Sequence, residues 1–140
     1  TTKTSYTNKN LKAGVKYYYM VKAYKTLDGE TVTGAASTAR TMITRPAAPK
    51  ITKISPWTKR ATVFWSGVSG ADGYEIYMST SKTGTYKKIA TCTAAKKQYK
   101  KTGLKSGKKY YFKIKSYKLN AAGKKVYSYS YSKVMSVVVK

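Results

Sequence analysis

Apolar and polar residues alternate with a period of two in several short stretches of the chain. In the clearest stretch, Ala61, Val63 and Trp65 fall on one side of an extended segment, with Thr62 and Phe64 on the other. This period is typical of a half-buried β-strand, whereas an amphipathic helix would repeat every three to four residues. Further alternating stretches lie at residues 74–78, 110–117 and 127–132.

Turn-forming residues separate these stretches, and the whole pattern predicts an antiparallel β-sandwich without helices. The stretch 127–132 alternates Tyr and Ser strictly, which predicts a strand with three Tyr on one face and three Ser on the other. The turn sequences, each containing Gly, lie at residues 69–73, 82–84, 105–107 and 121–124.

The chain is similar to itself when it is shifted by 93 residues. Between residues 6–25 and 99–118, ten of the twenty aligned positions are identical. Such self-similarity is typical of tandem structural units. We therefore expect residues 46–140 to form one complete unit and residues 1–45 to form the C-terminal half of another. The segment 45–49 carries two of the three prolines and is typical of a short, stiff linker.

Three segments of the complete unit follow one another in the order of a known family. Residues 60–65 end on a Trp, residues 71–77 begin with a turn, and residues 104–110 read Leu-Lys-Ser-Gly-Lys-Lys-Tyr. Together they resemble the fibronectin type III module, in the variety found in surface or secreted proteins of Gram-positive bacteria. The resemblance implies a seven-stranded antiparallel immunoglobulin-like β-sandwich.

The most specific part of this resemblance is a corner with the pattern Leu-x-Pro-Gly-x-x-Tyr. In the family, the Tyr hydroxyl forms a hydrogen bond to the loop that precedes it. Ser106 stands where the family commonly has Pro, and Ala13 stands at the matching position of the incomplete unit. The implied corner residues are Leu104, Gly107 and Tyr110 in the complete unit, and Leu11, Gly14 and Tyr17 in the incomplete one.

By the same resemblance, residues 1–45 supply only the fifth, sixth and seventh strands of a sandwich. Three strands alone would leave Tyr17, Tyr19, Val21 and Ala23 facing water, and a piece this small rarely folds stably. Two explanations remain open at this point. Either the chain is part of a longer protein, or a second chain completes the half unit by strand exchange.

Composition favours a folded domain whose core depends on aromatic residues. Leu, Ile, Val and Phe make up 22 of the 140 residues, and the net charge is +25. That combination is typical of a disordered chain. The fifteen Tyr and two Trp reverse this interpretation, because each buried aromatic side chain removes about 150–250 Å² from water.

The chain lacks the residue types that most catalytic and metal sites need. It contains no His, which excludes a Ser-His-Asp triad and a His-ligated metal. Its four acids are Asp28, Glu30, Asp72 and Glu75, and Cys92 is its only Cys. No run of 18 apolar residues is present. The sequence therefore predicts a protein that is not an enzyme and binds no cofactor or metal.

The positive charge is concentrated in the complete unit. Residues 47–140 carry a net charge of +19 and residues 1–46 a net charge of +6, and no acid follows Glu75. Such a field attracts polyanions. However, 26 of the 29 basic residues are Lys, whereas Arg is favoured for bidentate phosphate and base contacts. We expect no specific nucleic-acid partner.

Alternation predicts that tyrosines and lysines share one outward face of the sandwich. Tyr rings flanked by Lys ammonium groups can contact sugars and bind their acidic substituents. Two simpler explanations remain open: Tyr stabilises strands through cross-strand pairs, and Lys protects exposed strand edges from pairing. The candidate residues of this face are Tyr77, Tyr111, Lys113, Lys115 and Tyr117.

Two functions are consistent with these features. In the first, the chain is a non-catalytic structural or spacer module of a multi-domain secreted or wall-associated bacterial protein. Rigid sandwiches joined by short Pro-containing linkers hold neighbouring domains of the same polypeptide at fixed distances. In the second, it is a binding module for an acidic glycan or an anionic wall polymer such as teichoic acid. The extracellular location follows from the resemblance alone.

Overall fold

Short β-strands joined by turns make up the computed structural model, which describes residues 3–140. Within that range there is no helix. Residues 1 and 2 of the predicted half unit lie outside the described residues. The strands are β1 Lys16–Tyr19, β2 Lys22–Leu27, β3 Glu30–Ala36, β4 Arg40–Ile43, β5 Ile51–Trp57, β6 Arg60–Trp65, β7 Gly73–Ser79, β8 Lys87–Thr93, β9 Gln98–Thr102, β10 Lys109–Leu119, β11 Lys125–Tyr127 and β12 Met135–Val138.

Strands β5 to β12 form two sheets that face each other, which we call the sandwich. One sheet has the order β5-β6-β9, and the other has the order β8-β7-β10 with β11 and β12 both pairing with β10. All pairs are antiparallel. Since β11 and β12 are successive parts of one edge, the sandwich has seven strands, and the predicted all-β fold class is confirmed.

Alternation places the core where the sequence pattern predicts it. Ala61, Val63 and Trp65 of β6 are buried, and they face Phe112 and Ile114 of β10, which are also buried. Burying one such large apolar side chain stabilises a fold by about 1.5–3 kcal/mol. This core holds the two sheets together, so it fixes the position of the side chains on their outer faces.

A tyrosine corner connects β9 to β10. The Lys105 backbone N–H donates a hydrogen bond to the Tyr110 hydroxyl at 3.0 Å. Gly107 lies in the left-handed region with φ +72°, where a side chain would be strained, and Leu104 is buried beneath the corner. Ser106, in place of the family's Pro, donates to the Lys140 carbonyl at 2.8 Å.

The same geometry recurs before β1. The Lys12 N–H donates to the Tyr17 hydroxyl at 2.9 Å. Gly14 has φ +68°, and Leu11 is half-buried. Both corners therefore close a loop of the same length with the same hydrogen bond.

The outer edge of the sandwich is broken between β11 and β12. The Ser128 N–H donates to the Ser116 carbonyl at 3.0 Å, whereas the next such bond joins Ser132 N–H to the Ile114 carbonyl at 2.8 Å. Between these two bonds the edge advances by four residues while β10 advances by only two. Two extra residues of the edge therefore loop out as a bulge. The Ser132 hydroxyl accepts the Ile114 N–H at 2.9 Å, which compensates for a lost backbone partner.

The prediction of an uninterrupted Tyr/Ser strand over 127–132 is therefore wrong. Ser128 and Ser132 do point inward and are buried, but the bulge leaves Tyr129 87% exposed. Alternation in the sequence shows which residues prefer each face, but it does not show where the ladder of hydrogen bonds is interrupted.

Strands β1 to β4 form a hairpin in two parts, with β1 paired to β4 and β2 paired to β3. No strand forms over residues 5–9, the segment that the repeat of 93 residues aligns with β9. In the sandwich, the matching strand β9 pairs with β6, and residues 3–45 hold no counterpart of β6. The expected strand has no partner there with which to form hydrogen bonds.

The hairpin leaves apolar side chains in water, as expected for part of them. Val21 is 71% exposed, and Ala23 is also exposed. Tyr17 and Tyr19 are instead half-buried, because their hydroxyl groups accept hydrogen bonds from the N-terminal segment, at Lys12 N–H and Asn8 Nδ2 respectively.

Candidate functional site

The solvent side of the β8-β7-β10-β11 sheet carries a continuous set of charged and aromatic side chains, which we call the outer face. The pairing of β7 with β10 places its residues in rows across the sheet. Tyr77 lies opposite Lys113, and Glu75 lies opposite Lys115. The members are Glu75, Tyr77, Tyr86, Lys88, Tyr111, Lys113, Lys115, Tyr117, Lys125, Tyr127 and Tyr131.

A buried carboxylate lies at the centre of the outer face. Glu75 is 1% exposed. This is unexpected, because it alternates along β7 with core residues and therefore lies on the solvent side of the sheet. Its Oε1 accepts hydrogen bonds from Lys125 Nζ at 2.7 Å, Tyr127 OH at 3.2 Å and Lys88 Nζ at 3.3 Å. Its Oε2 accepts one from Tyr77 OH at 2.7 Å. Four donors from three strands therefore converge on one acid.

These contacts keep Glu75 ionised. Burial alone would raise the pKa of its carboxyl group, but hydrogen bonds from Lys125, Tyr77 and Lys88 outweigh burial and lower the pKa to about 2. The pKa of Tyr77 is raised, first by burial and then by the bond to Glu75. Tyr77 thus stabilises the sheet, since its hydroxyl group donates its hydrogen bond to this carboxylate and not to a ligand.

Two lysines of β10 are held over tyrosine rings instead of carboxylates. Lys113 Nζ lies 4.2 Å from the ring centre of Tyr86 and 4.0 Å from that of Tyr131. Lys115 Nζ lies 4.7 Å from Tyr131 and 5.6 Å from Tyr127. Within residues 3–140 the ion pairs use Lys88, Lys118 and Lys125. The charges of Lys113 and Lys115 are therefore not neutralised by any carboxylate in the described chain.

The structure brings the sequence-predicted residues of this face together but does not expose all of them. Lys113, Lys115 and Tyr111 lie on the outer face and are half-buried. Tyr117 was expected to be exposed, but it is 8% exposed. Its ring lies beneath the Lys125 ammonium group, 4.5 Å away, and meets the Tyr127 ring edge-on at 6.2 Å. Residues from the adjacent edge strand cover it.

Sequence reasoning missed six members of the face: Glu75, Tyr86, Lys88, Lys125, Tyr127 and Tyr131. The Tyr/Ser alternation indicated which face Tyr131 prefers, but strand spacing could not predict its contact with Lys113. Tyr86 comes from the loop before β8, where no periodicity applies. Glu75 had one usable signal, since it is the last acid before 65 residues that contain none.

A second basic surface lies on the opposite sheet. A shallow groove of about 670 Å³ runs along β6 and β9, with a half-buried Phe64 in its floor. Lys97 at its rim donates to the Ala94 carbonyl and lies 5.4 Å from the Tyr74 ring centre. Lys100 is exposed beside it. An exposed lysine beside this groove, such as Lys100, can therefore serve as a control for the lysines of the outer face.

The connection between hairpin and sandwich is held by the bulge. The Arg45 guanidinium group donates to the Tyr127 carbonyl at 3.1 Å and lies over the Tyr129 ring at 4.6 Å. Gly14 of the hairpin corner approaches Gly70 of the sandwich so closely that a Cβ on Gly14 would lie 3.0 Å from backbone atoms of Gly70. Only glycines permit this approach.

The linker itself is also docked on the sandwich. The Ser116 hydroxyl donates to the Ala47 carbonyl at 2.5 Å. Pro46 and Pro49 are buried, and their rings restrict the backbone on either side. The linker therefore adds side-chain contacts to the stiffness that its prolines supply.

Residues 3–140 hold no cluster of three His, Cys, Asp or Glu side chains suited to a metal ion. Burial raises the pKa of the Cys92 thiol, and nearby Lys96 partly offsets this. No helix within the range could cross a membrane.

Known proteins similar to this chain point to one fold. No family model matches the chain. An amylopullulanase from Thermoanaerobacter thermohydrosulfuricus is 38% identical over 74 residues, which cover 49% of this chain and 5% of that protein. The chain thus spans only a small part of this relative.

Two solved bacterial structures are also similar to this chain. A Fn3-like protein from Clostridium thermocellum is 26% identical with a TM-score of 0.55, over 69% of this chain and 96% of that one. A β-1,2-glucanase from Parabacteroides distasonis is 19% identical with a TM-score of 0.57, over 81% of this chain and 16% of the enzyme. The chain has an immunoglobulin-like β-sandwich of the fibronectin type III kind.

Proposed function

We propose that this chain is a non-catalytic spacer module of an extracellular multi-domain bacterial protein. In this proposal, residues 46–140 are one complete fibronectin type III-like module and residues 1–45 are the C-terminal half of the module before it. The module holds neighbouring domains of the same polypeptide at a fixed distance and orientation. Those neighbours carry the enzymatic or adhesive activity.

The observation that carries this proposal is the docked linker. Arg45 binds both the Tyr127 carbonyl and the Tyr129 ring, and Ala47 accepts the Ser116 hydroxyl. A free linker of five residues would have a root-mean-square length of about 12 Å and would let the modules reorient. Contacts on both sides of Pro46 restrict that freedom, as a spacer requires.

The comparisons support the same context. The amylopullulanase relative matches over only 5% of its length, so the similar region is one small part of a long protein. The β-1,2-glucanase matches over 16% of its chain. In both, the similar region is far smaller than the whole protein, which is the arrangement expected of an accessory module.

A distance measurement across the linker tests this function. Spin labels are attached at Thr33→Cys in β3 and Ser81→Cys in the sandwich, with the native thiol removed by Cys92→Ala. We expect one narrow distance distribution, and Arg45→Ala should broaden it at least twofold. As the matched control, Arg60→Ala removes an Arg–Trp contact away from the linker and should leave the width unchanged.

A broad distribution before any change at Arg45 would contradict the spacer function, because the linker would then be flexible. The same conclusion would follow if Arg45→Ala and Arg60→Ala gave equal widths. Thermal unfolding of each variant, followed by circular dichroism, verifies that the sandwich is folded during the measurement.

A further inference from the structure

We propose that the outer face binds an acidic polysaccharide, with Lys113 and Lys115 contacting its carboxylates and Tyr111 and Tyr131 contacting its hydroxyl groups. This goes beyond the spacer function and does not depend on it. Within residues 3–140, the outer face combines two cations that no carboxylate neutralises with two phenolic hydroxyl groups that bond to no protein atom. Recognition of an acidic polysaccharide needs both features.

The first support is the charge that remains after internal pairing. The two side-chain carboxylates of the sandwich are already bound, Glu75 by Lys88 and Lys125 and Asp72 by Lys118. Glu75 is the acid of the outer face, and because it is already paired it does not compete with a ligand for Lys113 and Lys115. A surface of this kind favours a ligand with repeated negative charges.

The second support is the way in which the two lysines are held. The ammonium group of Lys113 lies between the rings of Tyr86 and Tyr131, and that of Lys115 lies over Tyr131. Cation–π contacts fix these flexible side chains, while each ammonium group keeps N–H donors for another partner. Binding an anion then costs less side-chain entropy than at an unrestrained lysine.

The spacing also suits a chain of charged units. Lys113 and Lys115 are two residues apart on one face of β10, so they repeat along the strand every 6.8 Å or so, since each residue of a strand rises about 3.4 Å. A linear polymer lying along β10 can place successive acidic groups near both lysines.

The third support concerns hydroxyl groups and favours a sugar over a bare polyanion. Across the part of the chain that the structure describes, the hydroxyl groups of Tyr111 and Tyr131 make no hydrogen bond to protein. Both residues are half-buried beside the lysines. Phenolic hydroxyl groups both donate and accept, which is what the hydroxyl groups of a sugar require.

The bulge supplies the last part of the site. Because two extra residues loop out between Ser128 and Ser132, Tyr131 returns to the outer face above Lys113 and meets Tyr77 edge-on at 5.2 Å. The strand gives up regular pairing at this point. Bulges commonly occur where a side chain is redirected into a binding surface.

Binding to polygalacturonate by the 140-residue chain, measured by calorimetry at physiological salt, tests the proposal. The double variant Lys113→Gln/Lys115→Gln should weaken binding at least tenfold. The control Lys53→Gln/Lys100→Gln removes the same charge from exposed lysines of the opposite sheet and should weaken it less than twofold. Equal losses would show diffuse attraction only and would overturn the site.

Two further probes distinguish recognition of an acidic sugar from attraction by charge alone and from binding of a neutral glucan. Inorganic polyphosphate should bind at least fivefold more weakly than polygalacturonate, and the neutral glucan pullulan should not bind. Tyr131→Phe removes one hydroxyl group and should weaken polygalacturonate at least threefold without changing polyphosphate. Equal binding of polyphosphate, or binding of pullulan as tight as that of polygalacturonate, would overturn the assignment to an acidic polysaccharide.

Unfolding midpoints in urea show whether each variant remains folded. If Lys113→Gln/Lys115→Gln does not fold, Tyr131→Phe carries the test, since it retains the ring and removes only an unbonded hydroxyl group. Unchanged polygalacturonate affinity in a folded Tyr131→Phe variant would then contradict the proposal. None of these outcomes alters the distance measurement across the linker, so the two functions fail separately.

Discussion

Replacing Glu75 with Gln removes the charge at the centre of the outer face while keeping the size of the side chain. In the native sandwich this carboxylate accepts from two lysines and two tyrosines. The variant retains an acceptor oxygen, but it loses the charge that strengthens each of these bonds. Glu75→Gln therefore isolates the electrostatic part of the network.

The size of the effect follows from the pKa. Lowering the pKa of Glu75 from 4.5 to about 2 corresponds to about 3 kcal/mol of folding stability, because one pKa unit corresponds to about 1.4 kcal/mol. The pKa is lower in the folded chain, so the stabilisation is complete above about pH 4.5 and is lost as the pH falls towards 2. We expect Glu75→Gln to lose about 3 kcal/mol at pH 7 and almost nothing at pH 2.

Urea unfolding at several pH values, followed by the fluorescence of the buried Trp65, measures this free energy in the sandwich. Glu30→Gln is the matched control, since Glu30 is exposed in the hairpin and its removal changes the net charge equally. Equal wild-type stability at pH 7 and pH 2 would contradict a stabilising role of the Glu75 charge. A full pH dependence retained by Glu75→Gln would contradict it too, because the dependence would then arise elsewhere.

Three further changes follow from particular contacts. Tyr110→Phe removes the acceptor of the Lys105 N–H and should lower the free energy of unfolding by about 1–3 kcal/mol; an unchanged urea midpoint would show that the corner bond contributes nothing. Gly73→Ala would bring a Cβ to 2.5 Å from the Cys92 carbonyl oxygen and against the Tyr117 hydroxyl, so a melting scan should show a loss of about 1–3 kcal/mol, and a variant as stable as wild type would contradict this close packing. Since burial raises the pKa of the Cys92 thiol, a thiol reagent at pH 8 should react only after urea is added, and rapid labelling of the folded chain would contradict the buried position.

The inner faces of the strands were predictable because one rule governs them. Strand β6 has the predicted bounds Arg60 to Trp65, and its alternate residues are buried. Each core residue faces the other sheet whichever neighbours it has, so a period of two is sufficient to assign it.

The outer face was less predictable because its burial depends on side chains from separate elements. Alternation places Glu75 and Tyr117 on the solvent side, yet both are covered by Lys125 and Tyr127 from the next strand. Tyr86 arrives from a loop. Which long side chain folds over which neighbour depends on register and on the bulge, and neither is encoded in local periodicity.

The exposed hairpin shows a third limit. The repeat of 93 residues correctly aligns its corner with that of the sandwich, since Tyr17 and Tyr110 make the same hydrogen bond. Local sequence is sufficient for a corner, whose bond joins residues five apart. It is not sufficient for a strand at residues 5–9, the segment aligned with β9, because a strand needs a partner from elsewhere in the chain.

Residual dipolar couplings of the backbone amides show directly whether the linker holds hairpin and sandwich in one orientation. Couplings are measured for β1 to β4 and for β5 to β12 in the same partially aligned sample of the whole chain. If the linker is rigid, one alignment tensor, with one magnitude and one orientation, fits both sets. Two tensors of different magnitude would contradict a rigid linker, because they would show that the two parts move independently.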